Sequence, residues 1–148
     1  MTTLSTLPTT GSQTAPREKR RPPPKHLRRD RLFREELRQA AQVSLAQATV
    51  AHLYGTSLSD LRAPTRGKAP VAFARQIAMY LSHVVFGMSL SAVGRQFDRD
   101  RTTAAHACRC IEDKRDDTDF DYLLDRLEVS IRRVNLDFHG QTGWEGAQ

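Results

Sequence analysis

The stretch SLSAVGRQFDRDRTTAAHACRCIED, residues 89–113, decides the fold. Ser89 stands where it can cap a short helix, and Leu90, Val93 and Phe97 recur at helical spacing behind it. A tight polar connection follows. Then Ala104, Ala107, Cys108 and Ile111 mark the apolar face of a longer helix. A short helix, a tight turn and a longer helix make a helix-turn-helix. In such modules the first turn of the second helix meets base edges in the major groove. The chemistry at that turn suits the task. Asp100 can accept from a cytosine amine, Arg101 can reach guanine, and Thr102 or Thr103 can offer a methyl to thymine or a hydroxyl to phosphate. The same residues also have a plainer reading, with Asp100 an N-cap and the threonines the first turn of any helix. Spacing alone leaves both open.

Working outward, helical periods dominate from Leu32 onward. Val43, Ala46, Val50, Leu53 and Tyr54 share a face, and Gly55 can end that helix in the left-handed region. Residues 57–61, SLSDL, read as one capped turn, with Ser57 and Asp60 at capping-box spacing. A basic loop, RAPTRGKAP (62–70), ends at Pro70. Ala74, Ile77, Ala78, Leu81, Val84, Val85 and Met88 form an apolar stripe, and Gly87 helps to end it. Phe120, Leu123, Leu124, Leu127, Ile131 and Val134 mark a last helix. No segment alternates with strand period. The expectation is an all-α domain of about six helices around a helix-turn-helix, spanning 32–136, with a disordered basic tail at 1–31 and a flexible C-terminal tail at 137–148.

The 148 residues suit one domain. The formal charge of +6 is unevenly spread. Residues 1–31 hold eight Lys/Arg against two Asp/Glu, and residues 62–109 again hold eight against two. Residues 110–148 hold five against ten. The folded part is therefore polarised, which suits an anionic partner on one face. The tail, with RPPPKHLRRD at 21–30 as a stiff basic linker, reads either as a solubilising arm or as loose phosphate attraction. The carboxylates of EDKRDDTDFDYLLD (112–125) read as a solvated acidic face opposite the basic segment.

Several chemistries find no support. His106, Cys108 and Cys110 superficially suggest a metal, but Cys108 points away from the other two and no second cluster completes four ligands. Gly67-Lys68 is followed by Ala69 and has no glycine five positions earlier, so no phosphate loop binds nucleotide. No nucleophile, base and orienter assemble, so no enzyme and no cofactor are expected. The N-terminus lacks an apolar core, the stretch IAMYLSHVVFGMSL (77–90) is too short and polar to span a bilayer, and the close cysteine pair suits a reducing compartment. The expected location is the cytoplasm.

Residues 74–113, from ARQIAMYL through SLSAVGRQF and RDRTT to HAC, resemble the C-terminal DNA-binding domain of the bacterial replication initiator family, DnaA. The likeness extends from about Ala46 to Val134. It implies a helical fold that binds short duplex boxes through its helix-turn-helix. Arg99, Asp100, Thr102 and Thr103 match the family's recognition turn. Arg75 and Gln76 match a helix that lies along phosphates. Leu90 and Ser91 fall where the short helix approaches DNA. Arg66 and Lys68 lie in the loop from which the family sends an arginine into the minor groove, and the register leaves either possible. His83 falls where the family often carries a basic residue and could face phosphate. Arg101 departs from the pattern, which has histidine there, so the bound box is expected to differ.

The family carries an ATPase module before this domain, and in its place only the basic tail is expected here. Together these readings give a sequence-specific binder of double-stranded DNA. Asp100, Arg101 and Thr102 read bases, and Arg75, Gln76, Leu90, Ser91, Arg99 and Thr103 meet the backbone. Its role would be to regulate replication or transcription, with competition against the full-length initiator for the same sites. The alternative is a protein-interaction module that docks a partner through the acidic helices from Glu112 to Val134.

Overall fold

The computed structural model describes residues 24–141. It is built of six helices: α1 (Lys25–Tyr54), α2 (Leu58–Arg62), α3 (Ala69–Val84), α4 (Leu90–Gln96), α5 (Arg101–Lys114) and α6 (Thr118–Gln141). No strand occurs among the described residues.

The centre of the fold is α3. It packs against α1 on one side and α5 on the other, with α2 and α4 at its flanks. A helix in that position needs more than one apolar stripe. Ile77, Ala78, Met79, Tyr80, Leu81 and Ser82 are accordingly all buried in succession. The hydroxyl of Ser82 is satisfied within the helix by donating to the Ala78 carbonyl at 2.8 Å. Val43, Ala46, Val50 and Ala51 of α1, Ala104, Ala107, Cys108 and Ile111 of α5, and Leu124, Leu127 and Ile131 of α6 complete one core. Two residues expected on apolar faces are exposed: Leu53 and Val134 each lie beyond the last buried residue of their helix, Ala51 and Ile131 respectively.

The ends of the helices follow from local chemistry. Gly55 adopts the left-handed region at φ 61° and closes α1. Ser57 accepts from the Asp60 N–H at 3.0 Å, and Ser89 accepts from the Ala92 N–H at 3.1 Å. Pro70 lies in the first turn of α3, where a missing N–H costs nothing.

Both expected domain boundaries move outward. Residues 25–31, expected in the tail, form the first two turns of α1 behind Pro24. They are exposed throughout, so no core demands them. Their Leu, Arg and Lys content favours helix, and further along α1 Glu35 binds both Arg38 and Gln39. An apolar period reports packing and cannot see a helix held by propensity. Likewise residues 137–141, expected in the flexible C-terminal segment, are the end of α6. The remainder of both expected tails, 1–23 and 142–148, lies outside the described residues.

Candidate nucleic-acid interface

The turn between α4 and α5 is tight. The Arg99 N–H donates to the Gly94 carbonyl at 2.8 Å, and Asp98 takes φ 53° to let the chain reverse. Gly94 is needed there because a Cβ would stand 2.7 Å from the Arg99 carbonyl oxygen. The turn delivers Asp100, Arg101 and Thr102 to the exposed start of α5, with Thr103 half-buried beneath them.

Asp100 is an N-cap. Its Oδ1 accepts from the Thr103 N–H at 2.6 Å. That hydrogen bond and one from the Thr103 side chain hold the carboxyl below its ordinary pKa, so it is an anion at neutral pH. Capping uses part of a carboxylate's acceptor capacity and leaves the rest for a ligand. The two readings of Asp100 are therefore compatible.

One and two turns further along the same outer face stand His106 and Arg109, both exposed. The ring Nε2 of His106 lies 3.4 Å from Cys110 Sγ, while Cys108 is buried in the core. Burial and the nearby Glu112 push the Cys108 thiol up to about 11. Sequence reasoning weighed His106 only as a metal ligand. Its spacing of four from Thr102 was the signal that it shares the outer face of α5 with that residue.

Between α3, the α2–α3 loop and the start of α5 lies an open cleft of about 350 Å³. Its wall includes Pro64, Arg66, Arg75, Gln76, Met79, Arg99, Thr103 and His106. Five of the residues singled out in the sequence thus meet in one place: Arg66, Arg75, Gln76, Arg99 and Thr103. The others lie elsewhere. Lys68 is exposed at the N-cap of α3 without a side-chain capping bond. Leu90 is half-buried against the core, and Ser91 is exposed on α4.

Arg75 differs from expectation. It is buried, and its guanidinium donates to three backbone carbonyls. Nε reaches Leu61 at 2.8 Å, Nη2 reaches Asp60 at 2.9 Å and Nη1 reaches Arg66 at 3.3 Å. A side chain placed so is a brace for the loop, where sequence matching had put it on phosphate. Burial and the adjacent Arg99 lower its pKa from the ordinary arginine value. Arg99 itself donates to the Ala63 and Asp98 carbonyls at 3.0 and 2.9 Å. His83 is also engaged internally, with Nδ1 2.7 Å from the Met88 carbonyl.

The acidic face is only partly a solvated surface. Arg115 binds Asp121, Asp125, Glu128 and the Tyr80 hydroxyl, so three carboxylates tie α6 to α5 and α3. Glu112, Asp113, Asp116, Asp117 and Asp119 stay exposed. No helix among the described residues is long and apolar enough to cross a membrane.

The family model described as bacterial dnaA protein helix-turn-helix matches residues 43–111, which hold α2 to α4 and most of α5. Residues 43–111 are a helix-turn-helix domain of the DnaA family. Among its relatives are chromosomal replication initiator protein DnaA 2 of Chlamydia pneumoniae, 37% identical over 105 residues, and DnaA of Lactococcus lactis, 42% identical over 101 residues. These matches cover 71% and 62% of this chain but only 21% and 22% of the relatives. The chain thus corresponds to about a fifth of the length of those DnaA proteins. Two solved structures are similar in fold. A DNA replication initiation factor superposes with TM-score 0.62 at 32% identity, over 69% of this chain and 32% of the other. A replication initiator DnaA bound to AMPPCP and single-stranded DNA gives 0.61 at 30% identity, over 70% and 32%. A DnaA-type helix-turn-helix is a DNA-binding module, not a catalytic one.

Proposed function

We propose that this chain binds double-stranded DNA sequence-specifically, with the start of α5 in the major groove. The observation that carries the reading is the exposed trio Asp100, Arg101 and Thr102 at a capped helix start, beside a cleft walled by Arg66, Arg99, Gln76 and Thr103. In this reading the trio meets base edges. Gln76, Arg99 and Thr103 meet the backbone, with Leu90 and Ser91 alongside. The α2–α3 loop sends a cation into the minor groove, and Arg66, already at the cleft, is the better placed. Arg101 presents a planar fork that matches N7 and O6 of guanine, so the preferred duplex carries a guanine where it points. The biological role that follows is regulatory: occupancy of initiator-type boxes that control replication or transcription, in competition with a full-length initiator. Such a role places the chain in the bacterial cytoplasm. Docking through the acidic helices has less support, since Asp121, Asp125 and Glu128 are already spent on Arg115.

Selection from random duplexes tests the reading. The wild-type chain should enrich one short motif. Thr102→Ala with Thr103→Ala should lose that motif while stability changes by about 1 kcal/mol or less. Arg101→His should relax the guanine preference, with discrimination of about 1–3 kcal/mol at stake. An unchanged motif in the double variant would remove α5 from base reading.

A further inference from the structure

The α2–α3 loop is held by side chains reaching in from two other elements. Four carbonyls, those of Asp60 and Leu61 at the end of α2 and of Ala63 and Arg66 in the loop, accept from just two guanidinium groups. Arg75 comes from α3 and spans the loop from its start to Arg66. Arg99 comes from the α4–α5 turn, immediately before the Asp100 cap. Among the described residues neither guanidinium pairs with a carboxylate, so both cations remain uncompensated within the cleft.

We propose that Arg75 and Arg99 are positioning residues that lock the α2–α3 loop and the recognition helix into one rigid reading head. The proposal rests on the DNA-binding reading above. Arg99 ties the recognition turn to the loop directly, through Ala63. Arg75 ties the last turn of α2 and the Arg66 carbonyl to α3, so the backbone that presents Arg66 is held to α3. The major-groove residues on α5 and the cation on the loop are thereby set at a fixed separation before DNA arrives. Ordering the loop in advance removes an entropic cost that binding would otherwise bear. The planar fork of N–H donors spreads its bonds over carbonyls from Asp60 to Arg66, whereas an ammonium has three donors but presents them from a single point. Lysine keeps the charge but lacks that geometry.

This separates a brace from a phosphate grip. A grip depends on charge, so Arg75→Lys would be nearly silent. A brace depends on shape, so the same substitution frees the loop. The first arm needs no DNA: hydrogen exchange in the full chain of the bonded backbone amides of Leu61 and Ala63, where α2 runs into the loop. Arg75→Lys should speed that exchange by about tenfold or more and leave the amides of Ala104 to Ile111 unchanged. The second arm is a double-mutant cycle on the duplex enriched by the wild-type chain. Arg66→Ala should weaken binding about tenfold alone, and by less than about twofold when added to Arg75→Lys, because a loosened loop no longer aims that side chain.

Unchanged loop exchange in Arg75→Lys would overturn the proposal. So would an equal penalty for Arg66→Ala in both backgrounds. If the wild-type chain enriches no motif, the sequence-specific reading fails, and the exchange arm still decides the brace. Should Arg75→Lys lose its helical circular dichroism, Arg99→Lys, which severs the ties to Ala63 and Asp98 and leaves those of Arg75, takes its place in the exchange arm, where faster exchange at Ala63 supports the proposal and unchanged exchange overturns it.

Discussion

The side chain that is absent at Gly94 sets the shape of the helix-turn-helix. The Arg99 carbonyl oxygen stands 2.7 Å from where a Cβ would lie, and the Asp100 backbone stands at 3.0 Å. Both neighbours are main chain, so a methyl group there forces the turn outward. Gly94→Ala should lose about 1–3 kcal/mol of stability despite the better helix propensity of alanine. Thermal unfolding decides it, and an unchanged or raised melting temperature would refute the close approach. The motif around SLSAVGRQF made a short helix legible in the sequence. The need for glycine at that one position was not, because the atom it would strike belongs to the turn five residues later.

At the scale of the element, α5 illustrates a start fixed by one titratable group. The carboxyl of Asp100 has a pKa held below its ordinary value by the capping bonds. A depressed carboxylate contributes stability above its unfolded-state pKa and loses it as pH falls through the folded value. The window is therefore acid, below about pH 4. Asp100→Asn keeps a capping oxygen but cannot titrate. Between about pH 5 and pH 2 its melting temperature should fall less steeply than that of the wild type. Parallel slopes would show that the cap contributes no proton linkage. The first turns of α1 make the opposite point. They lack an apolar stripe, so reading by periodicity assigned residues 25–31 to a tail, whereas propensity and continuity with the packed helix behind them keep them helical.

For the whole molecule, the critical tie is Arg115, which brings α5, α6 and Tyr80 of α3 together. Burial disfavours its charge, but hydrogen bonds to Tyr80, Asp121 and Glu128 outweigh that and raise its pKa. Glu128 is buried and would lose this partner on removal of the guanidinium. Asp121 and Asp125 are solvated enough to recover much of their loss. Arg115→Leu should therefore cost about 2 kcal/mol, less than the roughly 3–5 kcal/mol of a broken buried pair, because Glu128 keeps Arg132. Chemical denaturation measures this. A loss under about 0.5 kcal/mol would mean that α6 is held by Leu124, Leu127 and Ile131 alone.

The sequence by itself determined the helical class, the pairing of α4 with α5, the caps Ser57, Ser89 and Asp100, and the residues at the recognition turn. Each is a local matter, set by neighbours within one or two turns, and a period or a spacing records it. Only the tertiary structure decided what Arg75 does and where the carboxylates of α6 are spent. A side chain six methylene and guanidinium atoms long selects partners by distance in space. The carbonyls of Asp60 and Leu61 come within its reach only when α2 packs beside α3. The same holds for Arg115 and Tyr80, 35 residues apart in sequence and 2.8 Å apart in the fold.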